Sequence, residues 1–162
     1  MKFSIKKINA ILSIMTISMM STVSFAQGGE NIVPNGSFES IDKKPKRLGS
    51  IESANSWVSP TGARADLFVS TKVEDINVPM NVYGKETAKE GENYAGVLAY
   101  SYGNKIPRTY VMTKLDAPMK KGMSYCVKFN VSLSEASKYA VNNMAATFSK
   151  KAFEAFSSPI KF

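Results

Sequence analysis

Histidine is absent from all 162 residues. That removes Ser-His and Cys-His nucleophilic pairs, and the usual zinc sites, in one step. Cysteine occurs once, as Cys126, so no internal disulfide can form. A lone thiol in a strand is expected to be buried and inert. No Gly-rich phosphate loop and no Gly-x-Ser-x-Gly elbow occurs, which leaves nucleotide hydrolysis and serine esterase chemistry without their usual machinery. The acids Glu74 and Asp75 are neighbours, so in a strand they point to opposite faces rather than converging. Only acids distant in sequence could meet across a cleft. The expectation is a protein that is not an enzyme.

Long apolar runs are also lacking, with one exception near the start. Residues 1–26 have the three-part form of a secretory signal. Lys2, Lys6 and Lys7 make a positive beginning, residues 8–20 are apolar, and Ser24-Phe25-Ala26 places small residues before Gln27. The apolar run is short and broken by Ser and Thr, which argues against a membrane span. The expected organisation is a signal-peptide helix over 1–26 and one domain over 27–162; an uncleaved anchor is the alternative. No cysteine follows the cleavage point, so lipid attachment there is not expected. The mature chain is then exported, to the periplasm, outer membrane or cell surface, and has no membrane span.

Charge of one sign is not concentrated. The formal charge is +8, and losing the three signal lysines leaves +5. The basic residues fall in short pieces (43–47, 120–121 and 150–151) among acids. A nucleic-acid protein is expected to gather them into one stripe with stacking aromatics. Nucleic acid is therefore not an expected partner, and solvated loop charges or weak attraction to anionic envelope polymers are.

What is present is a series of strand patterns. Residues 31–39, Asn-Ile-Val-Pro-Asn-Gly-Ser-Phe-Glu, read as an edge strand whose Pro34 cannot donate to a ladder. Asn35-Gly36 bends it and Phe38 turns inward. Trp57-Val58 and residues 67–69 are short strands, and residues 70–91 make a long polar loop. Residues 93–102 are apolar on both faces, residues 109–115 are β-branched and aromatic, and residues 144–148 form a shorter strand. The strongest pattern is residues 123–133, where Met123, Tyr125, Val127, Phe129, Val131 and Leu133 alternate with small or polar residues. Strict period two predicts a strand with one buried face. Residues 134–140 read as a helical turn or excursion, and Ser149 as the cap of a short helix to 156. Together these spacings predict an all-β sandwich.

Several stretches, in order, resemble the N-terminal region of Gram-negative outer-membrane proteins of the outer-membrane protein A family. They are residues 31–39, 59–68 (Ser-Pro-Thr-Gly-Ala-Arg-Ala-Asp-Leu-Phe), 83–96, 107–110 and 125–129. The opening stretch also resembles the first strand of galactose-binding-like, or carbohydrate-binding, jelly rolls. The resemblance implies an antiparallel jelly-roll sandwich, here incomplete, at the cell envelope. It implies a structural calcium near the first strand, with Glu39 supplying an oxygen. The peptidoglycan-binding domain that follows in that family has no counterpart in these residues, so the sequence reads as a fragment. The Glu-x-Asp-x-x-Glu pattern shared by jelly-roll glycosidases is not found.

The expected function is a non-catalytic module binding an envelope glycan or an envelope protein. Sugars need aromatic faces with nearby charged or amide groups. The candidates are Trp57, Tyr83, Tyr100 and Tyr102, with Arg64, Asp66 and Arg108 as polar partners. For Trp57 and Tyr94 the competing assignment is core packing, and for Arg64 and Asp66 a plain ion pair. The alternatives are a structural spacer for an anchoring domain and, less favoured, a glycan-active hydrolase.

Overall fold

A computed structural model of the chain describes residues 30–153. The signal expected over 1–26, the end of the helix expected over 149–156 and the final stretch lie outside the described residues. The chain divides into Met1–Glu30 and Asn31–Phe162, and everything below concerns the second unit.

Six short strands form among the described residues: β1 (Trp57–Val58), β2 (Asp66–Phe68), β3 (Met80–Asn81), β4 (Gly84–Lys85), β5 (Tyr94–Gly96) and β6 (Met112–Thr113). They pair as three antiparallel two-stranded sheets, β1 with β6, β2 with β5 and β3 with β4. Among the described residues the protein is thus mostly β, in small antiparallel two-stranded sheets with no long helix. Breakers explain the short strands. Ser59-Pro60 ends β1, because proline offers no ladder donor. Ser56 precedes it with a φ of +73°, a conformation that stops a strand from extending backwards. The 3-10 turn Ile51–Ser53 precedes β1, and the turns Glu74–Ile76 and Tyr102–Asn104 occupy the links β2–β3 and β5–β6.

The core gathers Ile51, Ala54, Ala65, Leu67 and Val69, with Phe38, Ile41, Trp57, Ala95 and Val111 packed against it. Ile51 and Leu67 are fully buried, each contributing about 1.5–3 kcal/mol of gross hydrophobic stabilisation. Phe38 turns inward as its sequence context predicts. Residues 31–39 do so as successive turns, however, and not as a strand. Within the long loop, Ile76 is completely buried and its carbonyl accepts the Val69 N–H at 3.1 Å. This contact ties the loop to the end of β2.

The C-terminal part departs most from expectation. Residues 123–133 form no ladder. Met123, Tyr125, Val127, Phe129, Val131 and Leu133 are all exposed, and so are the residues between them. Cys126 is exposed too, not buried. Residues 144–148 are likewise unpaired, and 149–153 contain no helical turn. The reason is general. Period two specifies which side chains share a face, but a strand exists only when another strand takes its N–H and C=O groups. Among the described residues nothing does.

Candidate functional site

Residues 31–39 form a clasp built on side chain to backbone hydrogen bonds. The Asn31 Oδ1 accepts the Val33 N–H at 3.1 Å. Asn35 sits at a φ of +47°, a left-handed conformation that Asn tolerates better than most residues. Its Nδ2 donates to the carbonyls of Ser40 and Asn55, each at 2.9 Å, and its Oδ1 accepts the Ser40 N–H. Its own carbonyl accepts the Trp57 indole N–H at 2.8 Å and the Phe38 N–H at 3.0 Å. Two residues separated by twenty positions are joined through one amide.

Glu39 closes the other side. Its Oε1 accepts the backbone N–H groups of Glu92 and Asn93, both at 2.8 Å. The Asn93 side chain is buried and returns a bond from Nδ2 to the Phe38 carbonyl at 3.0 Å. Gly91, at a φ of +70°, leaves no room for a Cβ because the Glu39 carboxyl occupies that space. The Glu39 carboxyl is thereby engaged as an internal acceptor. The carbonyls of Asn35, Phe38 and Ser40 already accept hydrogen bonds. Among the described residues no group of three His, Cys, Asp or Glu side chains converges as metal ligands would.

The clasp also accounts for Trp57. Its ring lies 4.9 Å from that of Phe38, its N–H is bonded inside the protein, and it packs on the core. Of the two assignments weighed for this residue, the geometry favours packing. Arg64 is largely exposed and makes an ion pair with Glu52 at 3.7 Å, not with Asp66. Such a pair stabilises little. Tyr100 meets Tyr139 edge-on at 5.1 Å. Tyr102 stands exposed on its 3-10 turn, which Ser101 closes by bonding Ile106 through both its N–H and its carbonyl. Arg108 is half-buried farther along this segment. Among the described residues, no hydrogen bond, ion pair or ring contact joins Arg64, Tyr100, Tyr102 or Arg108 to Trp57.

Two of the sequence candidates do come together. Phe68 on β2 stacks on Tyr94 of β5, with centroids 4.9 Å apart and planes at 24°. Tyr83, in the β3–β4 turn, meets the Phe68 edge at 6.1 Å and is exposed. Gly96, opposite Asp66 in the β2–β5 register, makes this possible, since a Cβ there would run into the Phe68 ring. Asn81 donates through Nδ2 to the Tyr94 hydroxyl at 2.7 Å, leaving that hydroxyl's own hydrogen to donate elsewhere.

The carboxylates around this set are felt by its phenols. Burial, then Asp66 and Asp75, push the Tyr83 phenol upward. Burial also raises Tyr94, and Glu86 and Glu135 add to this against the lowering effect of the Asn81 bond. Both phenols are therefore neutral donors at physiological pH. An open groove of about 360 Å³ lies alongside, lined by Glu74, Asp75, Asn77, Met80, Asn81 and Val82. Tyr83 and Asp66 were legible from the sequence as aromatic and acidic candidates. Asn81 and Phe68 were not, because nothing local says that a hairpin turn will fold over β2.

Asp66 has a second role. Its Oδ1 accepts the Gly49 N–H at 2.6 Å, yet burial raises its carboxyl above the usual carboxylate range despite that bond. A raised acid binds its proton more tightly in the folded state. Its ionisation cost is therefore absent at low pH and enters as pH climbs from the unfolded to the folded value. Asp66→Asn keeps an acceptor for Gly49 and removes this cost. We expect urea melts of the variant to match or exceed the parent above that window, with a smaller change in stability across it. Asp66→Ala strands the Gly49 N–H and loses about 1–3 kcal/mol.

The chain matches no family model, no curated protein and no solved structure.

Proposed function

We propose that the chain is a non-catalytic, exported module of the cell envelope that binds glycan on the Tyr83 surface. The observation that carries this reading is the exposed Tyr83 ring, held edge-on to the Phe68–Tyr94 stack and bordered by the Asn81 amide and the Asp66 and Asp75 carboxylates. The ring offers a face to the apolar side of a sugar, and the carboxylates offer partners to its hydroxyls, while the Asn81 amide holds Tyr83 and Tyr94 in place. The side chains around it are set by packing, so little ordering remains to oppose binding. Trp57, given over to the clasp, is not part of the surface, and neither is Glu39. The envelope location rests on the signal-like beginning of the sequence and on its resemblance to outer-membrane protein A relatives. No helix among the described residues is long and apolar enough to cross a membrane.

Retention on immobilised peptidoglycan and other envelope polysaccharides tests the reading. Tyr83→Ala is expected to weaken retention about tenfold, in line with the loss of one aromatic contact. Tyr83→Phe should keep most of it. Tyr83→Phe should leave the melting transition nearly unchanged, while Tyr83→Ala, which loses the edge contact with Phe68, should cost about 1 kcal/mol of stability. Retention of Tyr83→Ala equal to the parent would refute the assignment of the surface, and no retention of the parent on any glycan would refute the function.

A further inference from the structure

Residues 117–153 differ from the rest of the described chain in three ways at once. They carry six lysines against one acid, Glu135, whereas residues 30–116 carry eleven basic and eleven acidic side chains. The net charge of the folded part thus resides almost wholly in this arm. Nearly every residue in it is exposed. Among the described residues, none from 124 to 133 makes a backbone–backbone hydrogen bond.

The arm is nevertheless tethered. The Ser134 hydroxyl and the Ala136 N–H both donate to the Tyr83 carbonyl, at 2.6 and 3.1 Å, and the Lys85 N–H donates to Glu135 Oε2 at 3.0 Å. Ser132 bonds Glu86. Its downstream end is therefore fixed to the β3–β4 hairpin. Residues 123–133 present their alternating apolar row, with Tyr125 and Phe129 at its centre, from that point.

We propose that residues 123–133 are a docking edge for an acidic β-strand supplied by another polypeptide. Strand addition gives the unpaired N–H and C=O groups a ladder and gives the apolar row a matching face. Acidic side chains on the incoming strand complement Lys120, Lys121 and Lys128. A second copy of the arm fits less well, since two arms that each carry six lysines against one acid repel, and antiparallel pairing centred on Lys128 sets that charge against itself. An anionic lipid surface meets the charge and the apolar row but offers no ladder to the backbone. The inference does not depend on the glycan reading, which rests on the Tyr83 ring, whereas the arm bonds the Tyr83 backbone carbonyl.

The test uses the full mature chain and a short synthetic peptide in which Val and Phe alternate with Glu and Thr. Binding is followed by anisotropy of a labelled peptide. The acidic peptide should bind about tenfold more tightly than its Lys-for-Glu counterpart, and affinity should fall as salt is raised. A version with Pro at alternate positions should not bind. Lys128→Glu should weaken the acidic peptide, and Val127→Pro should abolish its binding. Because these positions are exposed, both variants should keep the parent's Trp57 emission, which separates loss of docking from loss of fold. Amides of residues 123–133 should gain hydrogen-exchange protection on binding. Equal affinity for acidic and basic peptides, undiminished binding of the Pro version, peptide-resistant flotation with phosphatidylglycerol vesicles, or a dimer through these residues would each overturn the proposal.

Discussion

Asn35→Asp is expected to lower the stability of the folded chain by about 3 kcal/mol in urea unfolding followed by Trp57 emission. The two side chains have nearly the same shape, so packing changes little. What changes is bonding. The carboxylate cannot donate to the carbonyls of Ser40 and Asn55, and it places a negative charge against both. Each lost bond is worth about 1 kcal/mol, and the Asn55 carbonyl, which loses its donor while the Ser40 carbonyl keeps the Asn55 N–H, adds to this. Asn35→Ala also loses the acceptor for the Ser40 N–H and adds about 1–2 kcal/mol of strain at positive φ. Asn35→Gly escapes the strain and should fall between the parent and Ala. If the order were set by side-chain volume instead, Asp would resemble the parent.

Glu39→Ala is expected to cost about 3 kcal/mol in the same assay, because two N–H donors to one carboxylate lose their charged acceptor together. Glu39→Gln retains a neutral acceptor and should lose roughly half as much. Added calcium should not change either result, nor should a chelator alter the parent's melt. A chelator-sensitive melt would restore Glu39 to the role implied by the family resemblance. Gly91→Ala tests the contact from the other side. Its Cβ would meet the Glu39 carboxyl and its φ would be strained, so this variant should destabilise even though no hydrogen bond is deleted.

The parts of the fold legible in the sequence were those governed by local pattern. Trp57-Val58 and the 67–69 run become or border β1 and β2, since β-branched and aromatic residues sit there between breakers. The 93–102 run keeps only Tyr94–Gly96 as strand, because Gly96 and the partner β2 limit the ladder. The loop over 70–91 holds a buried Ile76 and a hairpin that composition alone does not show. The alternation over 123–133 is as regular as any in the chain and yields no strand, because alternation names a face and not a partner.

The candidate site divides in the same way. Tyr83 and Asp66 could be named as residue types suited to sugars. Their meeting depends on Phe68 lying between strands that are far apart in sequence. The clasp is the reverse case. Residues 31–39 stood out at once, but their meaning as a first strand with a metal ligand came from resemblance. The bonds of Asn35 and Glu39 reach to Asn55 and Asn93, and no reading of nine residues contains those partners.

The most direct test is amide hydrogen exchange at Glu92 and Asn93, followed in the calcium-free parent and in Glu39→Gln. If Glu39 is an internal acceptor, both amides are protected in the parent without metal, and protection falls in the variant while Leu67 and Val69 stay protected. Amides that exchange freely in the calcium-free parent and become protected only when calcium is added would contradict the clasp.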